Sequence, residues 1–121
     1  MVVTNVGNWP TTLQLTASTS TIGNPWGLST SSGIETAALL GVWNAGVGGP
    51  PAAGPPASLF NTYLTTNTVT SQVAGSYAGG QNGYQLPPGA SITLWFRFFL
   101  PMSTLSVGPE TLQVLPQAVY P

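Results

Sequence analysis

Polar and apolar residues alternate along much of this chain with the two-residue period of β-strands. The segment Ser91–Leu100 alternates most clearly and predicts a central strand. One face of that strand holds Ile92, Leu94, Phe96, Phe98 and Leu100, and the other holds Thr93, Trp95, Arg97 and Phe99. Thr111–Val119 repeats the pattern, with Leu112, Val114 and Ala118 on one face. We expect these two segments to pair as neighbouring antiparallel strands, joined through Pro101 to Pro109.

The strand signals earlier in the chain are shorter. Thr11–Ser18 alternates and predicts a half-buried strand, while Val2, Val3 and Val6 suit a short strand at a sheet edge. Thr36–Trp43 has helix propensity at its Ala-Leu start and strand character at its end. We favour a buried strand that ends near Trp43.

Glycine, proline, serine and threonine separate these segments. The Thr-rich stretch Leu59–Val73 predicts one or two strands. Turn residues predict three loops: Thr19–Gly33 at the surface with Trp26 turned inward, a polyproline-like Ala45–Pro56, and a flexible Gly75–Gly83.

Six or seven short strands without a convincing helix predict an all-β fold. We expect a single antiparallel β-sandwich, Ig-like or jelly roll, with long Gly/Pro-rich loops. The 121 residues suffice for one compact domain, so residues 1–121 are read as one domain.

Charge is the most unusual feature of the composition. Charged residues make up 2% of the chain, against about 25% in ordinary soluble proteins. They are Glu35, Arg97 and Glu110, and the chain has no Lys, Asp, His or Cys. General acid-base catalysis, activated hydroxyl nucleophiles, metal sites and phosphate binding all draw on the missing residue types. We therefore expect no enzyme, no cofactor or metal site and no nucleic-acid partner.

Membrane insertion is also not expected, because the longest apolar stretch is far shorter than the roughly 20 residues of a spanning helix. That stretch, Ile92–Met102, also contains Arg97 and Pro101. The first residues, Met1–Asn5, lack the basic and apolar regions of a secretory signal, so either a signal was removed or none existed.

Two sets of residues are candidates for a structural role. Arg97 could form an ion pair with Glu35 or Glu110 that joins two elements or two subunits. Four tryptophans could fill the core, form subunit contacts or, as a third alternative, provide a sugar-stacking platform. They are Trp9, Trp26, Trp43 and Trp95.

Two motifs resemble a family of Ig-like β-sandwich domains found in extracellular filament and virion proteins of archaea and bacteria. Thr4–Pro10 matches its opening T-N-x-G-N-x-P, and Leu86–Leu94 matches its turn and strand L-x-P-G-x-S-x-T-L. The match covers about a third of the chain, and both motifs are architectural. Few residues precede Gly7, which leaves two alternatives: Val2–Val6 forms a short edge strand, or a neighbouring subunit's strand fills the edge.

The resemblance implies an assembling subunit of filaments, matrix fibres or virion shells. We expect a structural virion protein, a small capsid, decoration or turret subunit of an archaeal or thermophilic virus. Its partners would be copies of itself or other capsid subunits, because near-zero charge lets copies crowd without repulsion. The alternatives are a secreted pilus or matrix-fibre subunit that assembles by strand complementation, and a carbohydrate-binding surface module. With so few titratable groups, stability should depend weakly on pH, which suits an acidic or hot exterior.

Overall fold

The computed structural model describes residues 1–20, 26–44, 60–71, 83–105 and 109–120. This part of the chain is all-β and contains no helix. Its strands are β1 (Val2–Thr4), β2 (Thr12–Ser20), β3 (Gly27–Ser29), β4 (Thr36–Asn44), β5 (Thr62–Tyr63), β6 (Val69–Thr70), β7 (Ser91–Phe99) and β8 (Thr111–Val119). The predicted all-β class is confirmed, and the described residues contain eight strands rather than six or seven. No helix in these ranges is long and apolar enough to cross a membrane.

The strands form two sheets, an arrangement consistent with a β-sandwich. The five-stranded sheet has the order β1-β7-β4-β3, with β5 also pairing with β4, and the three-stranded sheet has the order β6-β2-β8. The predicted central strand and the predicted short edge strand are confirmed, because β7 lies between β4 and β1. β3 runs parallel to β4, whereas the other pairs are antiparallel.

The predicted pairing of β7 with β8 is wrong. β8 pairs along its whole length with β2, from Thr12 opposite Val119 to Ser20 opposite Thr111. β7 and β8 therefore belong to different sheets. The connection between them, Pro101 to Pro109, is longer than the two to five residues that favour a tight hairpin, and here the chain changes sheets.

Both sheets contribute to one hydrophobic core. β2 supplies Leu13, Leu15 and Ala17 from its alternating face, and the five-stranded sheet supplies Leu39, Trp43, Ile92 and Leu94. On the opposite face of β4, the side chains of Ala38, Leu40 and Val42 are also buried. β4 is therefore buried on both faces, which explains its continuous apolar sequence and confirms the strand predicted over Thr36–Trp43.

The loop predictions have mixed outcomes. Thr19–Gly33 is not loop throughout: β2 continues to Ser20, and Gly27–Ser29 forms β3 against β4. Three residues are too few to show alternation, so the sequence carried no signal for β3. The predicted loop Ala45–Pro56 lies outside the described residues, as does most of Gly75–Gly83.

The two motifs that resemble the Ig-like family, Thr4–Pro10 and Leu86–Leu94, meet at the buried side chain of Asn5. Its Nδ2 donates to the backbone oxygens of Trp9 and Leu86, both at 2.8 Å, and its Oδ1 accepts from Gly7 N at 3.0 Å. The backbone of Asn5 also bonds the second motif, donating to Ala90 O at 2.9 Å and accepting from Gly89 N at 2.7 Å. Asn5 therefore fixes the end of β1 relative to the turn that enters β7.

Candidate functional site

The three charged side chains lie apart from one another. Within the described residues, no ion pair joins Arg97 to Glu35 or Glu110. The Arg97 guanidinium instead lies 4.8 Å from the centre of the Phe99 ring, in a cation–π contact on the exposed outer face of β7. Both carboxylate oxygens of Glu110 are buried and form no hydrogen bond with another described residue.

Glu35 stabilises the connection that follows β7. Its carboxylate accepts hydrogen bonds from the Thr104 hydroxyl at 3.1 Å and from the backbone N–H of Leu105. Trp26 Nε1 donates to the same Thr104 oxygen at 2.9 Å. Trp26 is thus only half-buried and serves this surface network rather than the core. Within the described ranges, no three His, Cys, Asp or Glu side chains come together as metal ligands.

The other tryptophans occupy different environments. Trp43 is a core residue, while Trp9 is 70% exposed in the turn before β2. Trp95 is half-buried and pairs with Val42, one position away from the Trp43–Leu94 pair, so Trp95 and Trp43 lie on opposite faces of one sheet. These two side chains cannot form one stacking platform.

Sequence reasoning missed the edge of β7 that faces β1. At this edge Met1 donates to Leu94 O at 2.9 Å and accepts from Leu94 N at 2.7 Å. Because alternate residues of a strand point to the same edge, Phe96 and Phe98 present their N–H and C=O groups at that edge. Neither residue bonds another described residue there.

One edge of β8 pairs with no described strand, and it contains a proline. The N–H groups of Leu13 and Ala17 donate to carbonyls outside β8, so the alternate residues Thr12, Gln14 and Thr16 are the ones that bond β8. Pro116 lies opposite Leu15 and therefore points its nitrogen away from β2, toward the free edge. This placement explains how a nine-residue strand tolerates proline, and it interrupts the row of donors on that edge.

Large apolar side chains are exposed on β7 and β8 and close to their ends. Phe96 and Phe98 continue the inner face of β7 after Ile92 and Leu94, yet each is 38% exposed. On β8, Leu115 is 55% exposed. Others on or near these strands are Phe99, Leu100, Met102, Leu105, Leu112, Val119 and Tyr120. A groove of about 700 Å³ beside β8 is lined by Ala17, Leu112, Val114 and Leu115, among others.

These features form a candidate assembly surface: the edge of β8 that pairs with no described strand, together with the exposed apolar side chains of β7 and β8. A signal for the edge was present in the sequence, because a proline inside an alternating pattern indicates an edge strand. Searches against protein-family models, curated proteins and solved structures found no match to this chain.

Proposed function

We propose that this chain is a non-enzymatic structural subunit that assembles in many copies, as one Ig-like or jelly-roll β-sandwich domain, into a virion shell. The observation that carries the proposal is the candidate assembly surface on a nearly uncharged protein. Soluble monomers seldom expose large contiguous apolar patches, and such patches mark interaction sites. The proposed partners are further copies of this chain or other shell subunits.

The low charge supports dense packing of copies. A formal net charge of −1 produces almost no mutual repulsion. Near-neutral surfaces favour association, and interface cores are depleted in charged residues. The same property suits an acidic or hot setting, such as that of an archaeal or thermophilic virus, because few groups change protonation between the folded and unfolded chain.

A filament or matrix fibre is the second candidate, and the edge of β8 that faces away from β2 favours it. No described strand pairs with β8 at this edge. Strand addition at such edges forms continuous sheets between subunits. Heterologous addition that does not close would give a fibre rather than a shell.

Negative-stain electron microscopy of the concentrated, purified chain tests this proposal. We expect regular particles or lattices at neutral pH and at about pH 3, because assembly does not depend on ionised groups. They should also persist at about 1 M salt, where the Debye length is about 3 Å. Filaments would select the second candidate. A monodisperse monomer under every condition would contradict both.

A further inference from the structure

We propose that Arg97 of one copy of this chain forms an ion pair with Glu35 of a second copy. The outer face of β7 in one copy would then pack against the connection that Glu35 stabilises in the other. This inference rests on the proposed structural function and identifies one contact of the assembly.

The charged side chains of these 121 residues allow few ion pairs. Arg97 is the only positively charged side chain, and Glu35 and Glu110 are the only negatively charged ones. The structure describes all three, and Arg97 meets neither glutamate within one copy. The residues outside the described ranges contain no charged side chain. An ion pair between side chains of these residues can therefore form only between copies.

Strand β4 keeps Arg97 and Glu35 apart within one copy. Arg97 lies opposite Leu40, and Glu35 directly precedes Thr36, the first residue of β4. Thr36 and Leu40 are four residues apart, which is about 13 Å along a strand at about 3.3 Å per residue. The two charges are thus separate sites, and each can meet the other only on a neighbouring copy.

The guanidinium of Arg97 has donors to offer. Arg97 is exposed, and its guanidinium lies 4.8 Å from the centre of the Phe99 ring. This cation–π contact is an attraction between charge and ring, so it leaves the N–H groups available as donors. They form a rigid fork that matches the two oxygens of a carboxylate. The described surroundings of Arg97 supply a ring but no such acceptor.

The carboxylate of Glu35 is held ready for such a fork. Its Oε2 accepts from the Thr104 hydroxyl, and its Oε1 accepts from the backbone N–H of Leu105. An ionised carboxylate has about four lone-pair sites, so each oxygen can accept from one further donor. The two bonds also fix its orientation, which reduces the side-chain entropy that an ion pair costs. By contrast, both oxygens of Glu110 are shielded from solvent, where a guanidinium cannot reach them.

Apolar side chains accompany both charges. Those close to Glu35 along the chain and at its hydrogen-bond partners are exposed by 75%, 80% and 82%: Ile34, Met102 and Leu105. Phe99, beside Arg97, is 39% exposed. Contact between the two sites would exclude water around the ion pair, and the attraction between charges strengthens where water is excluded. The apolar area would supply affinity, and the single pair of charges would fix the register.

Arg97→Lys turns this contact into a chemical cross-link, because the natural chain has no lysine. The variant keeps the positive charge and provides an amine that a carbodiimide joins to an adjacent carboxylate as an amide, without a spacer. We expect a covalent dimer in which the amine at position 97 is joined to Glu35. Mass spectrometry of a mixture of isotope-labelled and unlabelled protein shows that the two joined peptides come from different copies. The natural chain, treated in the same way, measures the background from the terminal amine.

Glu35→Gln and Glu110→Gln, each combined with Arg97→Lys, are matched controls. Glu35→Gln should abolish the cross-link, and Glu110→Gln should leave its yield unchanged. Melting curves would show that each variant folds. Without the reagent, Glu35→Gln alone should raise the concentration needed for association about tenfold in sedimentation velocity, because the contact loses a charge-assisted hydrogen-bonded pair.

Three results would overturn the proposed ion pair: no cross-link at position 97, a cross-link there to a different carboxylate, or a cross-link found only within one copy. If the unsubstituted chain still assembled in micrographs, only this inference would fail. Without assembly, the proposed function would fail as well.

Discussion

Asn5→Asp is expected to lower the free energy of unfolding by about 3 kcal/mol. The substitution keeps the shape of the side chain and the acceptor for Gly7 N–H. It removes both Nδ2 hydrogen bonds and turns a carboxylate toward the carbonyl oxygens of Trp9 and Leu86. A buried charge without donors has a large desolvation cost, so the loss should exceed that of two neutral hydrogen bonds.

Asn8→Asp is the matched control, since Asn8 is exposed in the same motif and should change stability by less than about 0.5 kcal/mol. Urea denaturation at pH 7 measures both variants. The defect of Asn5→Asp should shrink in acid, where a protonated carboxylic acid recovers one donor. Equal stability of the two variants would show that Asn5 does not join the two motifs.

Gly83→Ala is expected to cost about 3 kcal/mol, the second largest effect. Gly83 has φ of 76°, where a side chain costs roughly 1–2 kcal/mol. A Cβ there would also lie 3.1 Å from Ser71 Oγ and 3.2 Å from Leu13 Cβ. Both neighbours are buried, so the structure cannot relax freely and overpacking adds to the backbone strain.

Gly89→Ala separates these two causes. Gly89 has nearly the same φ, 77°, but a Cβ there would have no neighbour within 4 Å. The Gly89→Ala variant should therefore lose only the stability that backbone strain costs, about 1 kcal/mol. Ser71→Ala should restore part of the Gly83→Ala loss, because it removes one crowding atom and a buried hydroxyl that bonds no other described residue. Equal losses at the two glycines in thermal denaturation would contradict the contact argument.

A strand could be predicted from the sequence where its own residues show which face is buried. β2 and β7 were found from alternation, because each has one face in the core. β4 was harder, since burial on both faces removes alternation and leaves a run that also fits a helix. The pairing of β7 and β8 could not be found, because alternation identifies a strand's faces and says nothing about its neighbours.

The candidate assembly surface was only partly visible in the sequence. The shortage of charge already indicated association, and Pro116 offered a further signal of an edge strand that the sequence analysis did not use. The bonds between Met1 and Leu94 join residues far apart in the sequence, and such long-range pairing has no local signal. Arg97 was considered as an ion-pair partner of Glu35 or Glu110, but its guanidinium lies 4.8 Å from the centre of the Phe99 ring on the same face.

The most direct measurement compares Leu115→Ser with Val6→Ser by sedimentation velocity over a range of concentrations. Leu115 is 55% exposed on β8, within the candidate assembly surface, whereas Val6 is 90% exposed after β1 and outside that surface. Assembly through the candidate assembly surface predicts that Leu115→Ser associates only at higher concentration than the natural chain, and that Val6→Ser associates as the natural chain does. Equal association of the two variants would contradict it.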